Sequence, residues 1–156
     1  MHTAKRSKGL FKKPQKHDAV SIKQAAPADL MEATVAACAL IAFADGSLDI
    51  KERRKLFTLF QTNPCFTGFS HADVEAEFSR HKRAFEWNPA AARHEVFATL
   101  RTFPASVVKA HLILNACREI LEADGIEHPK EIAEMEEIRT LLFSELAAAP
   151  GRRPAP

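Results

Sequence analysis

The sequence predicts an all-α protein, a compact helical bundle of about six to seven helices that contains two pseudo-symmetric helical hairpins. Three observations lead there. The 156 residues include only five glycines and no tyrosine, and β-branched residues are scarce, a composition that disfavours strands. Apolar residues recur at three- and four-residue spacing in successive segments bounded by capping residues and prolines. One phrase is used twice, at Ala37–Glu52 and at Ala116–Glu131.

The two copies align without a gap at an offset of 79. Ala37, Cys38, Ile41, Ala44, Asp45, Gly46, Lys51 and Glu52 match Ala116, Cys117, Ile120, Ala123, Asp124, Gly125, Lys130 and Glu131, which is 8 identities in 16 positions. Two copies are too few for a solenoid and point to internal symmetry within one domain.

The elements follow in order. Asp29 with Glu32 forms an Asp-x-x-Glu pair that opens a first helix running to Asp45. From Ala33 to Ala44 that helix is almost wholly apolar and rich in alanine, so it should be buried on most sides. Asp49 and Glu52 open a second helix, with Leu56, Leu59 and Phe60 as its core face, and Asn63-Pro64 ends it. Ser70 caps a third helix carrying Val74, Phe78 and Phe85. Asn88 caps a fourth, with Pro89 at its first position and Val96, Phe97 and Leu100 facing inward. A fifth spans Ala105 to Ala123. The sixth starts at Pro129 and carries Ile132, Met135, Ile138, Leu141 and Leu142. The expected organisation is a basic, disordered tail over 1–27, a helical domain over 28–148, and a short disordered tail over 149–156.

The formal charge of +2 conceals a division. Residues 1–26 hold seven Lys or Arg against Asp18 alone, Arg152 and Arg153 sit at the other end, and the stretch between is acidic. A polybasic tail is attracted to anionic lipid or to nucleic acid, or simply keeps the chain dissolved. Its apolar nick is Leu10-Phe11, inside Lys8-Gly-Leu-Phe-Lys-Lys13. Cys38, Cys65 and Cys117 are odd in number with no Cys-x-x-Cys pairing, which argues for a reducing compartment. Without a signal-peptide core or a run of about 20 apolar residues, the expected location is the cytoplasm, with peripheral contact at the inner face of the membrane open to the tail.

The repeated phrase carries the candidate chemistry. Gly46 and Gly125 suit the left-handed residue that ends a helix. A carboxylate in a last helical turn, as expected for Asp45 and Asp124, faces the negative end of the helix dipole at a cost of roughly 0.3–1 kcal/mol. A cation would reverse that sign. Asp45, Asp49, Glu52, Asp124 and Glu131 are therefore the candidate metal ligands, and hard oxygen donors suit Ca²⁺ or Mg²⁺. Asp-Gly followed by five residues and Glu matches the second half of an EF-hand loop, but Ile41 and Phe43 stand where its first ligands belong, so an EF-hand is excluded. The same acids also read simply as helix caps and a tight turn.

Two copies of Ala-Asp-Gly with Glu downstream, each after a small-residue apolar helix, resemble the tellurite-resistance TerB family. Thr34–Gly46 and Ile120–Gly125 carry the resemblance, which covers roughly residues 28–147. It implies a compact all-helical bundle without catalytic activity of its own, acting in resistance to tellurite and related stress. It also implies protein partners in a metal-linked complex that includes an integral membrane protein. Carried over by position, its acidic residues are Asp45, Glu52, Asp124 and Glu131, and His128-Pro129 departs from the more acidic second loop of the family.

The seven histidines form no His-x-x-x-His pair, which argues against zinc. His111 reads as an interior, hydrogen-bonded residue. His128 reads as an imperfect cap that would add nitrogen to the second loop. Cys38 and Cys117 read as small buried fillers. No nucleophile elbow, phosphate loop or dinucleotide fingerprint occurs, so no enzyme is expected. The alternative function is a metal-free helical adaptor that recognises partners or anionic surfaces through the basic tail. Nucleic-acid binding by that tail is the weaker third reading.

Overall fold

A computed structural model of the chain describes residues 28–103, 106–126 and 128–148. The tails expected over 1–27 and 149–156 lie outside them. The described residues form six helices: α1 (Ala28–Ala42), α2 (Ile50–Thr62), α3 (His71–Trp87), α4 (Pro89–Thr102), α5 (Val107–Leu121) and α6 (Pro129–Ala148), with no strand among them.

Helix α1 is the axis of the bundle. Twelve of its 15 residues are buried, and it packs against α5, α3, α4, α6 and α2. A helix can be enclosed on so many sides only if its side chains are short, because interaxial distance follows side-chain size. Ala33, Ala36, Ala37 and Ala39 present no surface at all. The one buried hydroxyl on α1, Thr34, donates to the Leu30 carbonyl at 2.7 Å and so leaves no unmet polar group. Cys38 of α1 and Cys117 of α5 are both buried, and their thiols meet. That contact and the burial raise the Cys38 pKa well above the usual thiol value. Both side chains fill space, and Cys38 is a poor nucleophile.

The surrounding helices begin and end where local chemistry directs. Asp49 and Glu52 complete a reciprocal capping box on α2. Ser70 accepts the Asp73 amide at the start of α3, Asn88 accepts Ala91 ahead of Pro89 on α4, and Ser106 accepts Lys109 on α5. The loop between α2 and α3 is tighter than its sequence suggests. Phe66 is wholly buried there, with its ring 4.8 Å from that of Phe60. Ion pairs then tie neighbours together at the rim: Arg53 to Glu75 between α2 and α3, Lys55 to Glu119 between α2 and α5, and Arg93 to Glu134 and Glu137 between α4 and α6.

Four expectations need correction. Helix α1 already includes Ala28, so Asp29 lies within the helix and bonds the Leu30 amide rather than capping it. The same helix ends at Ala42, three residues before Asp45. His111 is exposed, its ring edge-on to Phe143, whereas the interior histidine is His81, 1 % exposed and bonded to Glu77. Burial pushes the His81 pKa down, and the charge on Arg80 adds to this. Helix α5 is also shorter than expected, spanning Val107–Leu121.

The enclosure of α1 predicts that added volume is not tolerated. Ala37→Leu should cost about 1–3 kcal/mol or more in urea unfolding. The same change at exposed Ala133 of α6 should stay within about 0.5 kcal/mol.

Candidate functional site

The α1–α2 and α5–α6 connections are built bond for bond alike at the offset of 79. The Ala44 and Ala123 amides donate to the Ile41 and Ile120 carbonyls, and the Gly46 and Gly125 amides to those of Phe43 and Glu122. Gly46 and Gly125 take φ of 95° and 78°, the left-handed region that a side chain resists. Asp45 then accepts the Ser47 amide at 2.9 Å, and Asp124 accepts the Ile126 amide at 2.8 Å. Each aspartate thus closes an Asx turn beyond its helix. The carboxylate points forward to an N–H, and the unfavourable dipole contact expected from the sequence is relieved.

The next helices start at equivalent positions too. Asp49 is the cap of α2 and accepts the Lys51 amide at 2.6 Å, while the Glu52 carboxylate accepts the Asp49 amide at 3.0 Å. His128 stands where Asp49 would be in the second copy. Its carbonyl accepts the Ile132 amide, and its own backbone bonds the Glu131 carboxylate. This geometry turns Glu52 and Glu131 inward. They are 4 % and 2 % exposed, although both are carboxylates.

Because α1 and α5 pack together, the two connections meet. Ligand atoms of Asp45, His128 and Glu131 all lie within 4.8 Å of one another, and Asp124 approaches His128 at 3.8 Å. Burial pushes the Glu52 carboxyl up to about 7, and repulsion from Glu131, Asp124 and Asp45 adds to this against the Asp49 amide. Burial likewise raises Glu131, with Asp45 and Asp124 contributing and His128 opposing. Asp45, Glu52, Asp124 and Glu131 therefore share one electrostatic neighbourhood. Asp49 is exposed and engaged as the cap of α2.

The residues fit a divalent cation. Two ligands of one Ca²⁺ lie up to about 4.6–5.2 Å apart and two of one Mg²⁺ up to about 4.0–4.2 Å, and the Asp45, His128 and Glu131 atoms, all within 4.8 Å of one another, are compatible with a shared ion. His128 joins this group through its position ahead of α6. The signal in the sequence was its equivalence to Asp49. Neither Glu52 nor Glu131 has a Lys or Arg partner among the described residues. The first connection is further anchored by Phe43, whose ring stacks on Phe85 of α3 at 5.1 Å.

An all-helical bundle with two Asp-Gly hairpins meeting at an acidic seam defines the class of protein. The chain belongs to the TerB family: residues 31–147, more than half its length, match the family described as "Tellurite resistance protein TerB". No curated protein and no solved structure matches the chain. Among the described residues no helix is long and apolar enough to cross a membrane.

The buried carboxyl of Glu52 sets a pH dependence. Its folded pKa lies above the ordinary value of 4.5, so its contribution to folding is complete below pH 4.5 and is lost as pH rises through about 7. Glu52→Gln keeps a cap acceptor and removes the charge. In EDTA, urea unfolding should find the variant equal to the parent near pH 4.5. By pH 8 it should be more stable by about 1–3 kcal/mol.

Proposed function

We propose that the chain is a non-enzymatic tellurite- and stress-resistance protein of TerB type, an interaction module whose partner surface is set by a divalent cation at the seam of its two hairpins. The observation that carries this reading is the meeting of Asp45 with His128 and Glu131, from connections 79 residues apart in sequence, beside the buried Glu52. Asp45 and Glu131 present oxygens from the two sides, His128 presents a ring nitrogen, and Glu52 and Asp124 supply further negative charge. A cation offsets the repulsion among these groups and fixes the angle between the α1–α2 and α5–α6 hairpins. The carboxylates favour Ca²⁺ or Mg²⁺, and the imidazole extends the range to borderline ions such as Mn²⁺.

The partners in this reading are proteins of a tellurite-resistance complex, an integral membrane protein among them. The chain itself is cytoplasmic or peripheral at the inner face of the membrane, without a catalytic step of its own. The competing reading, a helical adaptor without metal, draws on the complete capping box of Asp49 and Glu52. Nucleic acid is not among the proposed partners.

Calorimetric titration of Ca²⁺, Mg²⁺ and Mn²⁺ separates the two readings. Heat should be released or absorbed with the native chain and be lost in Asp45→Asn, and Asp124→Asn should weaken it. At 100 times the dissociation constant the ion should raise stability by about 2.7 kcal/mol. A flat trace for all three ions sinks the cation and leaves the adaptor.

A further inference from the structure

The helix starts that meet at the seam are filled differently, and the difference decides which ion suits it. Asp49, the cap of α2, gives its carboxylate to the Lys51 amide at 2.6 Å. His128 holds the equivalent place ahead of α6, where its backbone carbonyl accepts the Ile132 amide. Its ring faces the acids of the seam instead. Nε2 stands 3.8 Å from an Asp124 oxygen, and a ring nitrogen lies within 4.8 Å of oxygens from Asp45 and Glu131. Helix caps favour short side chains that carry an oxygen acceptor. A histidine here forgoes that role and brings a nitrogen ligand to the seam.

Ligand number points the same way. Asp45, His128 and Glu131 bring two carboxylates and one imidazole together. Ca²⁺ collects about six to eight oxygens, and Mg²⁺ demands near-octahedral oxygen ligands. Zn²⁺ is satisfied by three protein ligands and a water, drawn from histidine and carboxylate alike. Imidazole suits the later first-row ions, whose affinity for a given site rises from Mn²⁺ through Co²⁺ to Ni²⁺. Burial supplies an independent reason for a cation. Glu131 is 2 % exposed and has no Lys or Arg partner among the described residues, and a buried charge is as a rule paired or metal-bound. An ion can reach the site, because the His128 side chain is 38 % exposed and Asp45 is exposed.

We infer that His128 makes the seam a site for a late first-row divalent ion, of the Co²⁺ to Zn²⁺ class, and turns it against Ca²⁺ and Mg²⁺. The inference rests on the reading of the seam as a cation site and adds which ion it takes. A His-x-x-x-His pair is not required, because the ligands are assembled from two hairpins rather than along one helix.

The test is calorimetric titration of Mg²⁺, Ca²⁺, Co²⁺ and Zn²⁺ into the full chain carrying Cys65→Ser, which removes the exposed thiol. His128→Asp is the comparison, and it installs a preferred cap residue, so folding is not at issue. Co²⁺ and Zn²⁺ should bind the parent at least about tenfold more tightly than Mg²⁺ or Ca²⁺. His128→Asp should lower the ratio of Co²⁺ to Ca²⁺ affinity by about 10–100-fold, the range that loss of even an outer-shell partner produces. Bound Co²⁺ should also shift the His128 ring proton signals ahead of those of the other histidines. Equal affinity for the four ions, or a ratio unchanged by His128→Asp, overturns the inference and leaves the seam a cation site. Co²⁺ shifts centred on another histidine overturn it as well. Silence from every ion in both chains overturns the inference together with the reading it rests on.

Discussion

The close approach of α1 and α5 is the constraint on which the rest of the molecule depends. Alanines at 33, 36, 37 and 39 have no exposed surface, and Cys38 meets Cys117 across the interface. Larger residues there would separate the helices, since interior packing has little slack. Both helices run directly into Asp-Gly connections. The distance between helix ends therefore fixes the distance between connections. The packing of small side chains in the core, remote from any polar chemistry, is what places Asp45 against His128 and Glu131.

This arrangement works against stability. Glu52 and Glu131 are turned inward as first-turn glutamates, where they satisfy backbone amides, but burial disfavours their charged forms and neighbouring acids add repulsion. A cap alone does not call for this. Burial is the larger cause, and the converging hairpins add the acids of one copy to those of the other. Their convergence is what distinguishes this seam from two separate helix starts.

Much of the fold was legible because helix boundaries are local events. Asp49, Ser70, Asn88 and Pro89 lie where the chain begins a helix, and the side chain and amide involved are at most three residues apart. The end of α1 was less legible, since helix and Asx turn compete for Asp45 and the left-handed Gly46 decides between them. The histidines are instructive. Val74, Phe78, His81 and Phe85 form one stripe at helical spacing, so His81 belongs inside. Ala110, Ile113, Leu114 and Cys117 form the stripe of α5, which His111 misses. Composition around each residue pointed the other way, and the phase of the helix decided. The proximity of the two connections had no local signal, because it depends on tertiary packing.

The likeness of the two connections is in the backbone, and the side chains break it. Asp49 is replaced by His128, and Phe43, stacked on Phe85, by the exposed Glu122. The set gathered at the seam takes Asp45 from the first copy and His128 with Glu131 from the second. Its counterpart would take Asp124 from the second copy and Asp49 with Glu52 from the first. There Asp49 is directed to the Lys51 amide and is spent on starting α2, whereas Glu52 and Glu131 alike bond the backbone three residues before them. Under the proposed reading, a backbone with two equivalent turns yields one mixed oxygen and nitrogen centre rather than two equal oxygen sites. The substitution of a histidine for an aspartate at one helix cap is what directs that choice.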